Sequence, residues 1–256
     1  MITGIALSGG GARGIAHIGV LKALEEKGIH IHRLAGTSAG SIVAALYAYG
    51  YAPDRVFEII KSLSIFKSVR PAWTWTGLLK MDGLQELLHK YIPENSFEAL
   101  KLPLTVAATE IRKGQIHYFS EGELIPAIIA SCSIPAIFEP RQFQGGLYVD
   151  GGIFDNLPAR PIRDLCDVVI GSHCNHISTD FDAKSLKVVI ERSMLMTINA
   201  NTQISRKLCD VFIEPPHLDR FGSFDIGKAQ EIYDTGYQFA KSNFMPHDFQ
   251  HPTVAR

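Results

Sequence analysis

The sequence predicts an α/β domain built on a mainly parallel sheet. Short apolar or β-branched runs alternate with helical apolar periodicity along most of the 256 residues, the pattern that strand–helix–strand units leave in a chain. Glycine-rich turns stand where the first of those runs hand over to helices. The composition, 46% apolar and 20% charged, supports a large buried core and excludes a disordered chain.

Residues 2–7 read as a buried strand, and Ile15, Ile18, Leu21 and Leu24 repeat at helical spacing until Gly28 closes the helix. Residues 31–35 form a second strand and 41–49 a second helix, ending at Gly50. Pro53 and Asp54 open another helix, since Pro suits the first turn and an acid there complements the dipole. A further helix covers 82–91. Residues 103–109 and 115–119 read as strands about a Lys113-Gly114 turn, and 147–149 as a short strand after Gly145-Gly146. The β-branched run 167–171 suits a central strand. A long helix over 186–208, with Met194 and Met196 expected in the core, a strand at 211–213 and a helix at 226–240 complete the order. No Pro/Ser-rich linker or repeat divides the chain, so 1–256 is expected to be a single domain, with 244–256 loosely ordered.

Lys and Arg total 25 against 26 Asp and Glu. That balance argues against a nucleic-acid partner and leaves any transient contact with a membrane surface to apolar patches. No basic region precedes the apolar residues 2–7, and the weakly polar run 42–52 falls short of the ~20 residues that span a bilayer. Neither a signal peptide nor a transmembrane helix is expected. Cys132, Cys166, Cys174 and Cys209 form no disulfide framework, so the protein is expected to be cytoplasmic.

Two glycine motifs carry the chemistry. Gly36-Thr37-Ser38-Ala39-Gly40 joins a strand to a helix, the context of a nucleophile elbow, which strains Ser38 and pushes it out at a helix N-terminus. Gly9-Gly10-Gly11-Ala12-Arg13-Gly14 also follows a strand and satisfies the dinucleotide fingerprint. A nucleotide site wants a carboxylate at the end of the second strand, and the chain has Leu34-Ala35-Gly36 there. The competing reading is an oxyanion hole made by the bared amides of Gly9, Gly10 and Gly11. Arg13 either fixes this loop or attracts an anionic head group, and His17 reads as packed or capping rather than as a base.

Serine needs a base. A triad could combine Asp150 or Asp167 with His173, His176 or His217. Alternatively Asp150, at a strand end before Gly151-Gly152, serves directly if burial raises its proton affinity. Cys166, His173, Cys174 and His176 fit no standard zinc spacing, so no metal is expected. Residues 65–79, with Phe66, Trp73 and Trp75 beside Lys67 and Arg70, suit either a lid at a lipid interface or packing on a sheet edge.

With these three motifs in order, the sequence resembles the patatin-like phospholipase family, particularly its short bacterial members. The likeness extends through His17-Ile18-Gly19-Val20-Leu21, Ala130-Ser131 with Ser133-Ile134-Pro135, and Asn156-Leu157-Pro158, over about residues 2–172. The resemblance implies a three-layer α/β/α fold and a Ser–Asp dyad: Ser38 as nucleophile, Asp150 as proton acceptor, and amides of the Gly9, Gly10, Gly11 loop as oxyanion hole. Arg13, Gly14, Gly36, Gly40, Gly151 and Gly152 support those motifs. It further implies hydrolysis of lipid esters of the phospholipid or lysophospholipid type, without calcium or any other cofactor. An acyltransferase using the same dyad and a non-catalytic lipid-sensing protein on the same fold are the alternatives.

Overall fold

The computed structural model describes residues 1–62, 71–74, 77–79, 81–177, 179, 181–184 and 186–249. In chain order the elements are β1 (Thr3–Leu7), α1 (Ala16–Glu26), β2 (Arg33–Thr37), α2 (Ala39–Tyr49), α3 (Pro53–Ser62), β3 (Pro71–Thr74), β4 (Gly77–Leu79) and α4 (Asp82–Tyr91). There follow β5 (Leu104–Glu110), β6 (Gln115–Phe119), α5 (Leu124–Cys132), β7 (Arg141–Phe143), β8 (Gly146–Asp150), α6 (Arg160–Arg163), β9 (Val168–Ser172), α7 (Leu186–Arg206), β10 (Val211–Ile213) and α8 (Ala229–Asn243).

The fold is a three-layer α/β/α arrangement. Its sheet runs β10-β9-β1-β2-β5-β8-β7, with β6 also on β5. The five strands from β10 to β5 are parallel, whereas β6, β7 and β8 pair antiparallel. Alternation along the strands feeds two cores. Ile5, Leu7, Leu34, Val168 and Ile170 face the larger core, under α1, α2, α5 and α8. Ala6, Ala35 and Val169 face a smaller one completed by Leu157, Ala159 and Ile162 around α6. Buried on both faces, these strands read as unbroken apolar runs rather than alternating ones.

One feature of the sheet decides where the site lies. β6 covers one edge of β5 from Val106 to Glu110, so β2 and β8 must share the other edge. Thr37 pairs with Ala107 and Asp150 with Ala108. The parallel β2 and the antiparallel β8 therefore meet end to end on consecutive residues of β5, bringing residue 38 against residue 150.

Several elements differ from expectation. β2 runs two residues further than 31–35, so Gly36 and Thr37 are strand residues and Ser38 follows directly. α5 carries a proline near its start and looks like one more apolar run; it is helical because all its residues but Pro126 are buried, packed on β5 and β8. Met194 and Met196 are exposed rather than core: among the described residues α7 is buried only near its C-terminal end, at Thr202 and Ser205, and its earlier turns are not covered. Residues 244–249 pack: Phe249 is buried and Phe244 lies between Phe239 and Phe249. Of the stretch 65–79, the description covers only the backbone of the β3–β4 hairpin, so the lid reading lies outside the described residues, as do 250–256. No helix among the described residues is long and apolar enough to cross a membrane.

Candidate active site

Ser38 stands between β2 and α2 with φ 52° and ψ −126°, a backbone conformation that costs a non-glycine residue about 1–3 kcal/mol. Its surroundings hold it there. The Ser38 N–H donates to Ser131 Oγ at 2.8 Å, and Ser131 Oγ–H donates to the Ala107 carbonyl at 2.6 Å. The Ser38 carbonyl accepts from Ser41 N–H and Ser41 Oγ–H, at 2.8 and 2.6 Å. Glycine is required two positions either side, because strand and helix touch. A Cβ at Gly36 would lie 2.6 Å from Ser41 Cα, and one at Gly40 would run into the Leu7 and Ser8 carbonyls.

Asp150 ends β8 where its N–H donates to the Ser133 carbonyl at 2.9 Å. Its carboxylate accepts from Gly152 N–H at 2.8 Å and from the Ser38 hydroxyl. Burial pushes the Asp150 carboxyl up to about 6, and those two hydrogen bonds hold it from rising further. Gly151 lies against Ala107 and Thr37, which seats the turn on the end of β2.

The glycine loop lies beside the serine: a Cβ at Gly9 would be 3.0 Å from that of Ser38. Gly9 N–H donates to the Asn156 carbonyl at 3.2 Å and Ala12 N–H to the Ser223 carbonyl at 2.8 Å. Among the described residues, the N–H groups of Gly10 and Gly11 have no acceptor. Arg13 is buried, with Nε donating to the Gly10 carbonyl at 3.3 Å and Nη2 to Ser223 Oγ at 3.1 Å. Both bonds tie Arg13 to the glycine loop and to residue 223 beside it. Gly14 packs on Ala39 at the start of α2.

His17 is buried behind the loop. Its Nε2 donates to the Ser8 carbonyl at 2.9 Å, which leaves Nδ1 to accept from Ser172 Oγ at 2.8 Å. Burial pushes it down to about 4, so it is a neutral structural bridge. His173 is engaged elsewhere, with Nδ1 2.8 Å from Glu214. No cluster of His, Cys, Asp or Glu suited to a metal occurs among the described residues.

Beside Ser38 opens an apolar cavity of about 110 Å³, whose walls include Gly11, Ile15, Ile42, Val43, Leu84 and Phe138. A single water needs about 10–15 Å³ by the same measure, so several methylene-sized groups fit. The site thus presents a strained serine on a buried carboxylate, two bare amides and an apolar chamber.

Three features leave no signal in the sequence: the Ser131 bridge, the Asn156 carbonyl on the glycine loop, and Asn201 of α7, whose Nδ2 donates to the Gly152 carbonyl in the Asp150 turn. Ser131 and Asn156 stand in segments that carry the family likeness, but nothing in their spacing shows what they bond.

Among relatives, an uncharacterized NTE family protein of Mycobacterium bovis is 37% identical over 175 residues, covering 67% of this chain and 48% of its own. The patatin-like phospholipase domain-containing protein 6 of Homo sapiens is 31% identical over 278 residues, 94% of this chain and 20% of its own. The chain thus spans about half or less of the length of these curated relatives. Among solved structures, VipD from Legionella pneumophila superposes with a TM-score of 0.50 at 16% identity, over 94% of this chain and 67% of that one, a likeness of fold. The model of the patatin-like phospholipase family matches residues 5–163, a stretch that contains the glycine loop, the serine elbow and the Asp150 turn, and the chain belongs to that family.

Proposed function

We propose that the chain is a serine acyl hydrolase of lipid esters, of the phospholipase or lysophospholipase type, working through a Ser38–Asp150 dyad. The observation that carries this reading is the Ser38 hydroxyl held on a buried carboxylate at the wall of an apolar cavity.

An acyl chain in the cavity presents its ester carbonyl to Ser38. Asp150, ionised above about pH 6, accepts the Ser38 proton as the oxygen attacks, and no histidine takes part. The Ser38 amide is occupied by Ser131, so the oxyanion falls to the free N–H groups of Gly10 and Gly11. The N-terminus of α2 adds its positive end. Protonated Asp150 returns its proton to the leaving alcohol. Water then repeats the sequence on the acyl-enzyme.

The test is turnover of a panel of phospholipids, lysophospholipids and short-chain esters by the wild-type chain and Ser38→Ala, with fluorophosphonate labelling of both. Hydrolysis and labelling are expected for the wild type and neither for Ser38→Ala. A wild-type protein that is folded, unlabelled and inactive on every ester refutes the reading.

A further inference from the structure

The family match ends at residue 163, yet the catalytic loops are not held by that stretch alone. Two half-buried asparagines of α7, Asn199 and Asn201, reach one loop each. Asn201 Nδ2 donates to the Gly152 carbonyl at 2.8 Å and the Ile153 carbonyl at 3.3 Å, while its Oδ1 accepts from Asn156 N–H at 3.0 Å. Asn199 Nδ2 donates to the Asn175 carbonyl at 2.9 Å, and Asn175 Nδ2 donates in turn to the Gly9 carbonyl at 2.5 Å.

The Gly9 carbonyl matters because a peptide unit is planar and trans. Its oxygen and the Gly10 N–H point in opposite directions, so binding the oxygen on Asn175 fixes where the Gly10 N–H aims. The bond also polarises the peptide and makes that N–H a stronger donor. On the other loop, the Gly152 N–H is one of the two groups that hold the Asp150 carboxyl down. Asn201 secures the carbonyl of the same residue.

We propose that Asn175, Asn199 and Asn201 are positioning residues for acyl transfer: Asn175, steadied by Asn199, aims the Gly10 amide at the oxyanion, and Asn201 seats the turn that carries Asp150. This rests on the dyad reading given above. It assigns α7 the task of registering the oxyanion loop and the base against one another.

The two arms differ in what they disturb. Asn201→Leu frees the Gly152 turn, weakens the N–H bond to the carboxylate and so raises Asp150 further. The acid limb of kcat/KM moves to higher pH, and kcat falls about tenfold or more, in line with the cost of small misplacements. Asn175→Leu and Asn199→Leu misaim an oxyanion donor, so kcat falls by about tenfold or more with KM unchanged and the acid limb where it was. Asn201→Asp, which retains the acceptor for Asn156 but no donor for Gly152, behaves as Asn201→Leu.

Amide hydrogen exchange supplies a readout that needs no turnover. Exchange at Gly152 quickens in Asn201→Leu and at Gly9 in Asn175→Leu and Asn199→Leu, with Ile5 in β1 unchanged. Folded variants with wild-type kcat and wild-type exchange at Gly9 and Gly152 overturn the proposal. So does a rise at Ile5 equal to that at the glycines, with no shift of the acid limb, because that pattern is general loosening. An inactive wild type would refute the dyad reading, while the exchange data would still decide whether these asparagines hold the loops.

Discussion

Replacing Asp150 by Asn should abolish turnover and at the same time stabilise the protein, by an amount that depends on pH. The carboxyl is pushed from 3.8 to about 6 by burial. At about 1.4 kcal/mol per pKa unit, holding it ionised in the fold costs on the order of 3 kcal/mol. Between pH 4 and 6 the folded state binds more protons at this group than the unfolded chain does, so stability falls as pH rises through that window. The cost is fully present above about pH 6 and vanishes below about pH 4. Asparagine carries no charge and matches the shape. Its oxygen still accepts from Gly152 N–H, and its amide donates to a Ser38 hydroxyl that is able to turn. At pH 7.5 the Asp150→Asn protein should therefore be more stable by up to about 3 kcal/mol, raising Tm by roughly 5–10 °C in a chain of this size. At pH 4 the two proteins should unfold alike. Urea or thermal unfolding at several pH values, beside turnover of a lipid ester, measures both quantities. Loss of about 10²–10⁴-fold in kcat is expected from removal of the base. A stability difference that is the same at pH 4 and pH 7.5, or an Asn protein that is less stable at pH 7.5, refutes the reasoning.

Three further outcomes follow from the geometry. Gly40→Ala should destabilise the protein by roughly 1–3 kcal/mol, read by urea unfolding, because the new methyl group meets the backbone carbonyls of Leu7 and Ser8, which cannot swing aside. Val43→Phe, in the cavity wall, should lower kcat/KM for long-chain against short-chain esters by roughly fifteen- to sixtyfold, if two or three methylenes at about 0.8 kcal/mol each lose their place; an unchanged ratio would put the acyl chain elsewhere. His173→Gln, His176→Gln and His217→Gln should each retain most of the turnover, which EDTA should not reduce, since the proposed dyad calls on neither a histidine nor a metal; loss of activity in one folded variant would favour a triad.

Much of this was legible in the chain because it is local. The strand–helix order follows from apolar periodicity, and the two glycine turns announce themselves because no other residue allows backbone to pass so close to backbone. Even so, the sequence ends β2 two residues early: Gly36 and Thr37 look like turn residues until β5 is present to pair with them. The α5 helix is not legible in the sequence because a short apolar run reads alike as buried strand or buried helix, and only its packing under β5 and β8 decides.

By itself, the sequence determined the parts of the candidate site: a serine in a strained turn, a run of glycines after a strand, and a carboxylate ahead of two glycines. Each is written in a handful of consecutive residues, whose backbone preferences are set by neighbours one to four positions away. Only the tertiary structure decided how those parts meet. β2 and β8 share one edge of β5 in opposite directions, which places Ser38 on Asp150 across 112 residues of chain. The same burial raises the Asp150 carboxyl to about 6. The choice of Gly10 and Gly11 over Gly9 as free donors, and the asparagines that hold both loops, likewise depend on long-range hydrogen bonds. Such bonds leave no period or motif in the sequence, because they are made between segments that only the fold brings together.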